Sequence, residues 1–527
     1  MKYKIFSLIA FSGLLAIVLT FTACDKDFDE YNKDPYAITE AELKSDYRLI
    51  GEPFINTIRN IYVQGPAWIT QLQQNLLADV YSGYMMPPTP FAGNSNNMNY
   101  NFVDGWNTWA WNPAYIVMSN AKFVKEKGGK DYPEFIAWMD IVKVAAMHRL
   151  SDIFGPIIYS DFGNVSADGT IKYDCQDKVY DQFFKDLDSG IAGLTAYITA
   201  NPTAKPFTAF DEVYAGDIKK WIKLANSMRL RLAIRISRVD PARAKAEGEK
   251  ALSNSYGVIT ENGDNFIVKT GLDHPLNVMS GAWNDTRMGA PMESILKGYK
   301  DPRLGAFFEP SKQFPGDYKG IRQGIAIASK GQYENFSALK KLGDVQLMTA
   351  AEVTFLRAEA ALRGWNGAGG TAKALYELGV TTSFAQYGAS GVSAYLSDAT
   401  SKPIPYVDPV NPVNSVAASS PNLSKATILW DESASTEGKL EKIITQKWIA
   451  MFPDGQEAWS EYRRTGYPKL FPVVINNSGG TIDTEKQVKR VKFIGNEYAQ
   501  NPKGVALGIS CLKGSDTGGT NLWWDVD

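Results

Sequence analysis

Thr349-Ala-Ala-Glu352 constrains the fold more than any other stretch of the chain. A threonine hydroxyl and a glutamate three residues on are the two halves of a capping box, each satisfying an orphan N–H at a helix start. Met348, Ala351, Phe355, Ala358 and Leu362 then fall on one apolar stripe, and Gly364 offers a left-handed stop. This predicts a helix over 349–363. Gly367-Ala-Gly369-Gly370 leads into a second at about 371–386. The same grammar recurs. Pro133 suits a first helical position, Phe135, Trp138, Val142 and Ala145 share a face, and Gly155-Pro156 ends a helix over 133–153. Asp217 can cap a helix carrying Trp221, Leu224, Ala225, Met228 and Leu232, with Pro241 beyond it. Leu440, Ile443, Ile444, Trp448 and Met451 mark another, followed past Pro453 by Glu457–Arg464. Helix pairs with short connections, and small alanines among large aromatics, predict tetratricopeptide-like packing with no fixed period visible. Between the pairs lie irregular segments rich in Gly, Pro, Asn and Ser at 85–105, 257–290, 310–345 and 388–436. Loops of that length in a compact protein are more often functional than idle. Strand signals are weak and short. The expectation is a mainly α protein, with tetratricopeptide-type helix pairs as scaffold and long irregular loops forming the ligand-binding side.

The N-terminus reads as a lipoprotein signal. Lys2 and Lys4 form a basic head, Ile5 to Ala23 an apolar or small stretch, and Cys24 precedes the acidic run Asp25-Lys26-Asp27-Phe28-Asp29-Glu30. Phe21 stands where a lipobox usually has leucine. The expected mature chain begins at Cys24 and hangs from a membrane by acyl chains, each buried CH₂ contributing roughly 0.8 kcal/mol. After residue 24 no apolar run approaches the ~20 residues that span a bilayer. The expected division is a signal peptide at 1–23, a polar leader at 24–45 and one helical domain over 46–527.

Composition excludes several functions. With 55 basic and 57 acidic residues the formal net charge is −2 and no like-charge block stands out. The densest basic stretch, Arg229 to Arg238, alternates with apolar residues and reads as the wet face of a helix. No nucleic-acid partner is expected. The two histidines, His148 and His274, argue against a histidine-based metal site or triad, so no metal or cofactor is expected. Cys175 and Cys511 can pair or stay free. Glu352 and Glu359 share a helix face, but capping explains the first and a pairing with Arg363 the second. Arg463 and Arg464 are expected to pair with acidic neighbours such as Glu457 or Glu461. His148 lies near Ser151 and Asp152 in sequence only, which makes no triad.

Further stretches carry a resemblance. They are Cys24 to Asp34-Pro35, Asp152-Ile-Phe-Gly155-Pro156-Ile-Ile-Tyr159, Asp301-Pro-Arg303-Leu304, Met348 to Trp365, Glu457-Ala-Trp459-Ser-Glu-Tyr-Arg463-Arg464-Thr-Gly-Tyr-Pro468, and Leu522-Trp523-Trp524-Asp525. In that order, behind a lipoprotein signal, the chain resembles the SusD/RagB family of outer-membrane nutrient-binding lipoproteins. The resemblance implies a helical SusD-like fold and a lipid-anchored place on the outer membrane, facing the exterior. It also implies a SusC-like TonB-dependent transporter as partner, with the lipoprotein as a lid over the barrel. Family members bind glycans, or in some cases peptides, without cleaving them. The alternatives are a peptide-binding member, a lipid-anchored glycoside hydrolase, and a tetratricopeptide scaffold that binds only proteins.

Holding a glycan needs stacking faces and amide donors. The chain is 12% aromatic, with 13 Trp and 26 Tyr. The first candidate stretch is Asp104 to Pro113. Trp106 and Trp109 follow the polar loop Gly93-Asn94-Ser95-Asn96-Asn97 and precede a helix expected over 111–125, and Asn107 can bind hydroxyls. The family places a ligand-contacting Trp and Asn comparably. Trp111 and Tyr115 are read as pinning that helix to the core. Tyr81 and Tyr84, before Pro87-Pro88, extend the wall as core or rim. A second candidate is Trp283, Asn284 and Arg287 in a long loop, and Tyr333, Asn335 and Phe336 form a third. No catalytic residue is expected. The expected ligand-binding set is Trp106, Asn107, Trp109, Tyr84, Trp283, Asn284 and Arg287, with Cys24 lipidated.

Overall fold

In a computed structural model describing residues 40–526, the caps read from sequence are in place. Thr349 Oγ1 accepts from the Glu352 N–H at 3.2 Å, the helix Ala350–Leu362 follows, and Gly364 adopts φ +71° just beyond it. Asp217 accepts from the N–H groups of Lys219 and Lys220 and opens the helix Ile218–Arg235. Pro133 begins Pro133–Phe154, which stops at Gly155 with φ +86°. The helices pair as neighbours in sequence: Pro133–Phe154 with Gln176–Ala200, Ile218–Arg235 with Pro241–Leu252, Ala350–Leu362 with Ala372–Gln386, and Thr436–Ala450 with Gly455–Thr465. Large rings fill the space between them. Trp138, fully buried, stacks on Phe54 at 3.8 Å and on Phe207 at 4.2 Å. Gly190 lets its helix approach closely, since a Cβ there would lie 2.8 Å from the Ala137 carbonyl oxygen.

Residues Ile50–Asp527 form one unit, and the stretch to Leu49 groups apart from it. The described part of that stretch contains the short helix Glu40–Ser45. The signal segment and Cys24 lie outside the described residues. No described helix is long and apolar enough to cross a membrane.

Two sequence readings are corrected here. The helix expected over 111–125 runs from Asp104 to Gly128, with Gly105 and Pro113 inside it. Pro113 removes one i→i−4 bond, and burial of Ala110, Trp111, Ala114 and Val117 outweighs it. The basic stretch is no wet face either. Arg229, Arg231 and Arg235 are at most 3% exposed, whereas Arg238 is exposed.

Arg231 and Arg235 belong to a charge cluster in the core, whereas Arg229 pairs with Asp188 and Glu247. Arg231 pairs with Glu352 at 2.7 Å, and Arg235 with Asp152, Glu457 and Glu461. Arg464 pairs with Glu359 at 2.7 Å and Glu461 at 2.6 Å, and Lys447 adds a contact to Glu461 at 3.1 Å. The expected Glu359–Arg363 pair forms at 2.7 Å, as does the pairing of Arg464 with Glu461. Glu352, by contrast, spends its carboxylate on Arg231. Arg463 reaches no neighbouring glutamate: its guanidinium lies 3.5 Å from the Trp459 ring and donates to the Asp152 and Lys489 carbonyls. His148 is buried beside Arg231, with burial and that guanidinium pushing its pKa down to about 3.

Asp79 stands apart from the cluster. Burial pushes its pKa up to about 7, against hydrogen bonds from Gln74 and Asn75. A folded pKa above the unfolded one gives stability that is complete below pH ~4 and lost as pH rises through about 7. Asp79→Asn mimics the protonated form, and the Asn75 Oδ1, which has no partner, can accept its new N–H. In urea unfolding the variant's advantage over the parent should grow between pH 5 and pH 8 by on the order of 2 kcal/mol. An advantage that does not change between the two pH values would disprove the shift.

Candidate functional site

Two ladder pairs assemble the loop side. Met85–Met86 runs antiparallel to Arg287–Met288, with Met86 opposite Arg287. The chain after Met86 therefore lies beside the chain before Arg287, which brings the first two candidate stretches together. Thr89 Oγ1 donates to Asp285 at 2.6 Å, and Lys330 Nζ donates to the Trp283 carbonyl at 2.6 Å and to Asp285 at 2.8 Å. Asn94 exchanges hydrogen bonds with the backbone of Ile327. Segments near 89–101, 281–288 and 322–337 thus share one face. The asparagine-rich loop is its internal frame: Asn96 caps a turn at Met98, and Asn97 bonds Leu76, Val103 and Asn107.

A row of half-exposed rings lies on this face. Trp106 and Trp109 sit in the first turns of Asp104–Gly128, three residues apart and so on one side of it. Trp106 meets Phe91 edge-on at 5.9 Å, and Trp109 meets Trp68 edge-on at 4.7 Å. Trp68 is 41% exposed. Its helix, Ala67–Thr70, packs against Pro275–Ser280, the helix that leads into Trp283. Trp283 and Asn284 are half-buried. Asn284 takes φ +53°, and its Oδ1 accepts from Arg287 Nη2 at 2.6 Å, which fixes the side-chain amide with its NH₂ as the other end.

Three expected contact residues are not on the surface. Tyr84 is fully buried, tilted against Trp448 at 4.9 Å, with its hydroxyl donating to the Trp448 carbonyl. Asn107 is 1% exposed and accepts from Asn97 Nδ2 at 2.9 Å. Arg287 is buried under its own loop, donating to the Ser280, Thr286 and Glu334 carbonyls, and burial pushes its pKa down to about 10. Tyr84 and Arg287 adjoin two short strands that are buried throughout, and Asn107 lies on the inner side of its helix. In the third cluster Tyr333 and Phe336 are also buried, edge to face at 5.1 Å. Trp111 is buried as expected, and Tyr115 accepts from the Ile158 N–H.

Trp68 and Phe91 are absent from the sequence candidates. For Trp68 there was a signal: it follows Gly65-Pro66 and precedes the polar run Gln71-Leu72-Gln73-Gln74-Asn75, so no apolar stripe claims it. Phe91 lay in a loop with no pattern. Among the described residues no cluster of three or more His, Cys, Asp or Glu side chains is placed to hold a metal ion.

Indole faces and oriented amides on a helical frame suit binding, and Glu352, Glu359, Glu457 and Glu461 in the core cluster are committed to arginines. The comparisons give this class its family. The family model for SusD and RagB outer-membrane lipoproteins matches residues 30–525. A chitin-binding SusD homologue from Flavobacterium johnsoniae is 49% identical, covering 91% of this chain and 99% of its own, with a TM-score of 0.88. A SusD homologue from Bacteroides vulgatus is 37% identical over 93% of this chain and 99% of its own, with a TM-score of 0.85. One from Bacteroides ovatus is 32% identical over 92% and 100%, at 0.81. No curated protein matches. The chain belongs to the SusD/RagB family. It is an outer-membrane lipoprotein that binds rather than cleaves, and the hydrolase alternative falls with that assignment.

Proposed function

We propose that the protein holds glycan chains at the cell exterior and passes them to a SusC-like TonB-dependent transporter, anchored meanwhile by lipid on Cys24. The observation that carries this reading is the row of half-exposed rings at Trp68, Trp109, Trp106, Phe91 and Trp283, with the Asn284 amide beside the last. Sugar rings present apolar C–H faces to indoles and hydroxyls to amides. The 49%-identical relative named for chitin binding points to oligomers of N-acetylglucosamine as the ligand. Asp285 and Lys330 neutralise one another on the same face, which suits an uncharged sugar.

The test is calorimetric titration of the soluble domain with chitin oligosaccharides. Trp106→Ala with Trp283→Ala removes two aromatic contacts worth roughly 1 kcal/mol each, so affinity should fall roughly 30-fold with thermal melting unchanged. Unchanged affinity would take those rings out of the site.

A further inference from the structure

A cleft of about 480 Å³ opens where five helices end or begin, and it shares no residue with the aromatic row. Ser237 and Arg238 come from the end of Ile218–Arg235, Pro241 and Lys245 from Pro241–Leu252, and Leu362, Arg363 and Trp365 from the end of Ala350–Leu362. Leu440 and Glu437 come from the start of Thr436–Ala450, and Thr465 from the end of Gly455–Thr465. The size is that of a small-ligand site.

Its chemistry is uneven. Trp365, Leu362 and Leu440 give an apolar floor. Glu359 is 1% exposed and already held by Arg464 and Arg363 at 2.7 Å each, and Glu437 accepts from the Tyr467 hydroxyl. Both carboxylates are therefore engaged. The cations are less so. Arg238 donates through Nη1 to the Arg464 carbonyl at 2.9 Å, a neutral partner, and exposed Lys245 stands 3.7 Å from Glu249. Ser237 is only 4% exposed, yet its hydroxyl has no hydrogen-bond partner. A buried polar group without a partner is rare and asks for one.

We propose that this cleft is a second binding site, selective for a carboxylate carried on a short apolar body. The carboxylate would meet Arg238 and Lys245, whose guanidinium and ammonium give charge-assisted hydrogen bonds, and the body would rest on Leu362, Trp365 and Leu440. Such a group arrives either as a free small acid or as an acidic side chain on a protein segment, and the two sources are separable.

The experiment titrates the protein lacking residues 1–23 by ligand-observed NMR with two probes, N-acetylleucine and the capped peptide acetyl-Leu-Glu-Leu-amide. Saturable binding of the peptide alone assigns the cleft to a protein segment, and binding of the free acid assigns it to a small acid. Either affinity should weaken at least tenfold in Arg238→Gln/Lys245→Gln and fall with added salt. Lys245→Glu, a change at an exposed residue, should do the same if the double variant folds poorly. Chitin-oligosaccharide affinity should stay unchanged in both cleft variants, and Trp106→Ala/Trp283→Ala should leave the acid site intact, so failure of one site does not imply failure of the other. Binding of neither probe, or binding unaltered in the variants, overturns the proposal.

Discussion

Glu461→Ala is expected to cost roughly 3–5 kcal/mol, enough to leave much of the protein unfolded or insoluble. The carboxylate is 1% exposed and faces Arg235, Arg464 and Lys447. Burial alone would raise its pKa, but those three cations outweigh burial and hold it well below the usual range. Removing it strands positive charge where water cannot reach, and an uncompensated buried ion is penalised far more than a surface one. A folded pKa held below the unfolded one also fixes the sign with pH. The stability is present above pH ~4.5 and is lost as pH falls through the acid range. Lys340→Ala gives the contrast. Its pair with Glu309 leaves both side chains more than two-fifths exposed, and its loss should cost under about 1 kcal/mol. Urea unfolding of both variants, at pH 7 and pH 5, measures this. Equal, small losses would show that the cluster is not coupled to folding.

Loss of the Cys175–Cys511 disulfide should have an effect of similar size. The two cysteines, left open by the sequence, are bonded, with Cα atoms 5.2 Å apart and a sequence separation of 336. Cys175 sits at the start of Gln176–Ala200 and Cys511 at the end of Pro502–Ser510. The crosslink closes most of the chain into a loop, and loop entropy removed from the unfolded state grows with loop length. Cys175→Ser/Cys511→Ser should lose roughly 3–5 kcal/mol, and reductant should lower the parent's melting temperature but not the variant's. The bond also fits an exported protein, since oxidising compartments preserve such bridges. If reductant leaves the parent unchanged, the contacts of the C-terminal segment, such as Trp524 Nε1 donating to Asp152 at 2.9 Å, hold it without the crosslink.

How far the site could be read from sequence differs residue by residue. Trp106, Trp109, Trp283 and Asn284 lie on the accessible face. Tyr84 and Arg287 had the same polar-plus-aromatic character and the same loop context, but lie inside it. Tyr84 precedes one short strand and Arg287 begins its partner; both strands are buried throughout, and what covers each is set by a segment about 200 positions away. Asn107 shows the same for a helix. With Trp106 and Trp109 half-exposed, Asn107 beside Trp106 turns inward to Asn97.

The helices were set by the chain itself. Caps at Asp217 and Thr349, stripes of apolar residues and glycine stops act within a few residues, so the helix pairs were legible before any contact was known. The partners of charges and rings were decided only by the packed molecule. Arg231 and Arg235 read as solvent-facing because a helix alone cannot say what lies against it. Glu352, Glu457 and Glu461, more than 100 residues away, made them core. Trp68 and Phe91 joined the aromatic face for the same reason. Local hydrogen bonding is written in neighbouring residues, whereas burial and charge pairing depend on which distant surfaces the collapse brings together.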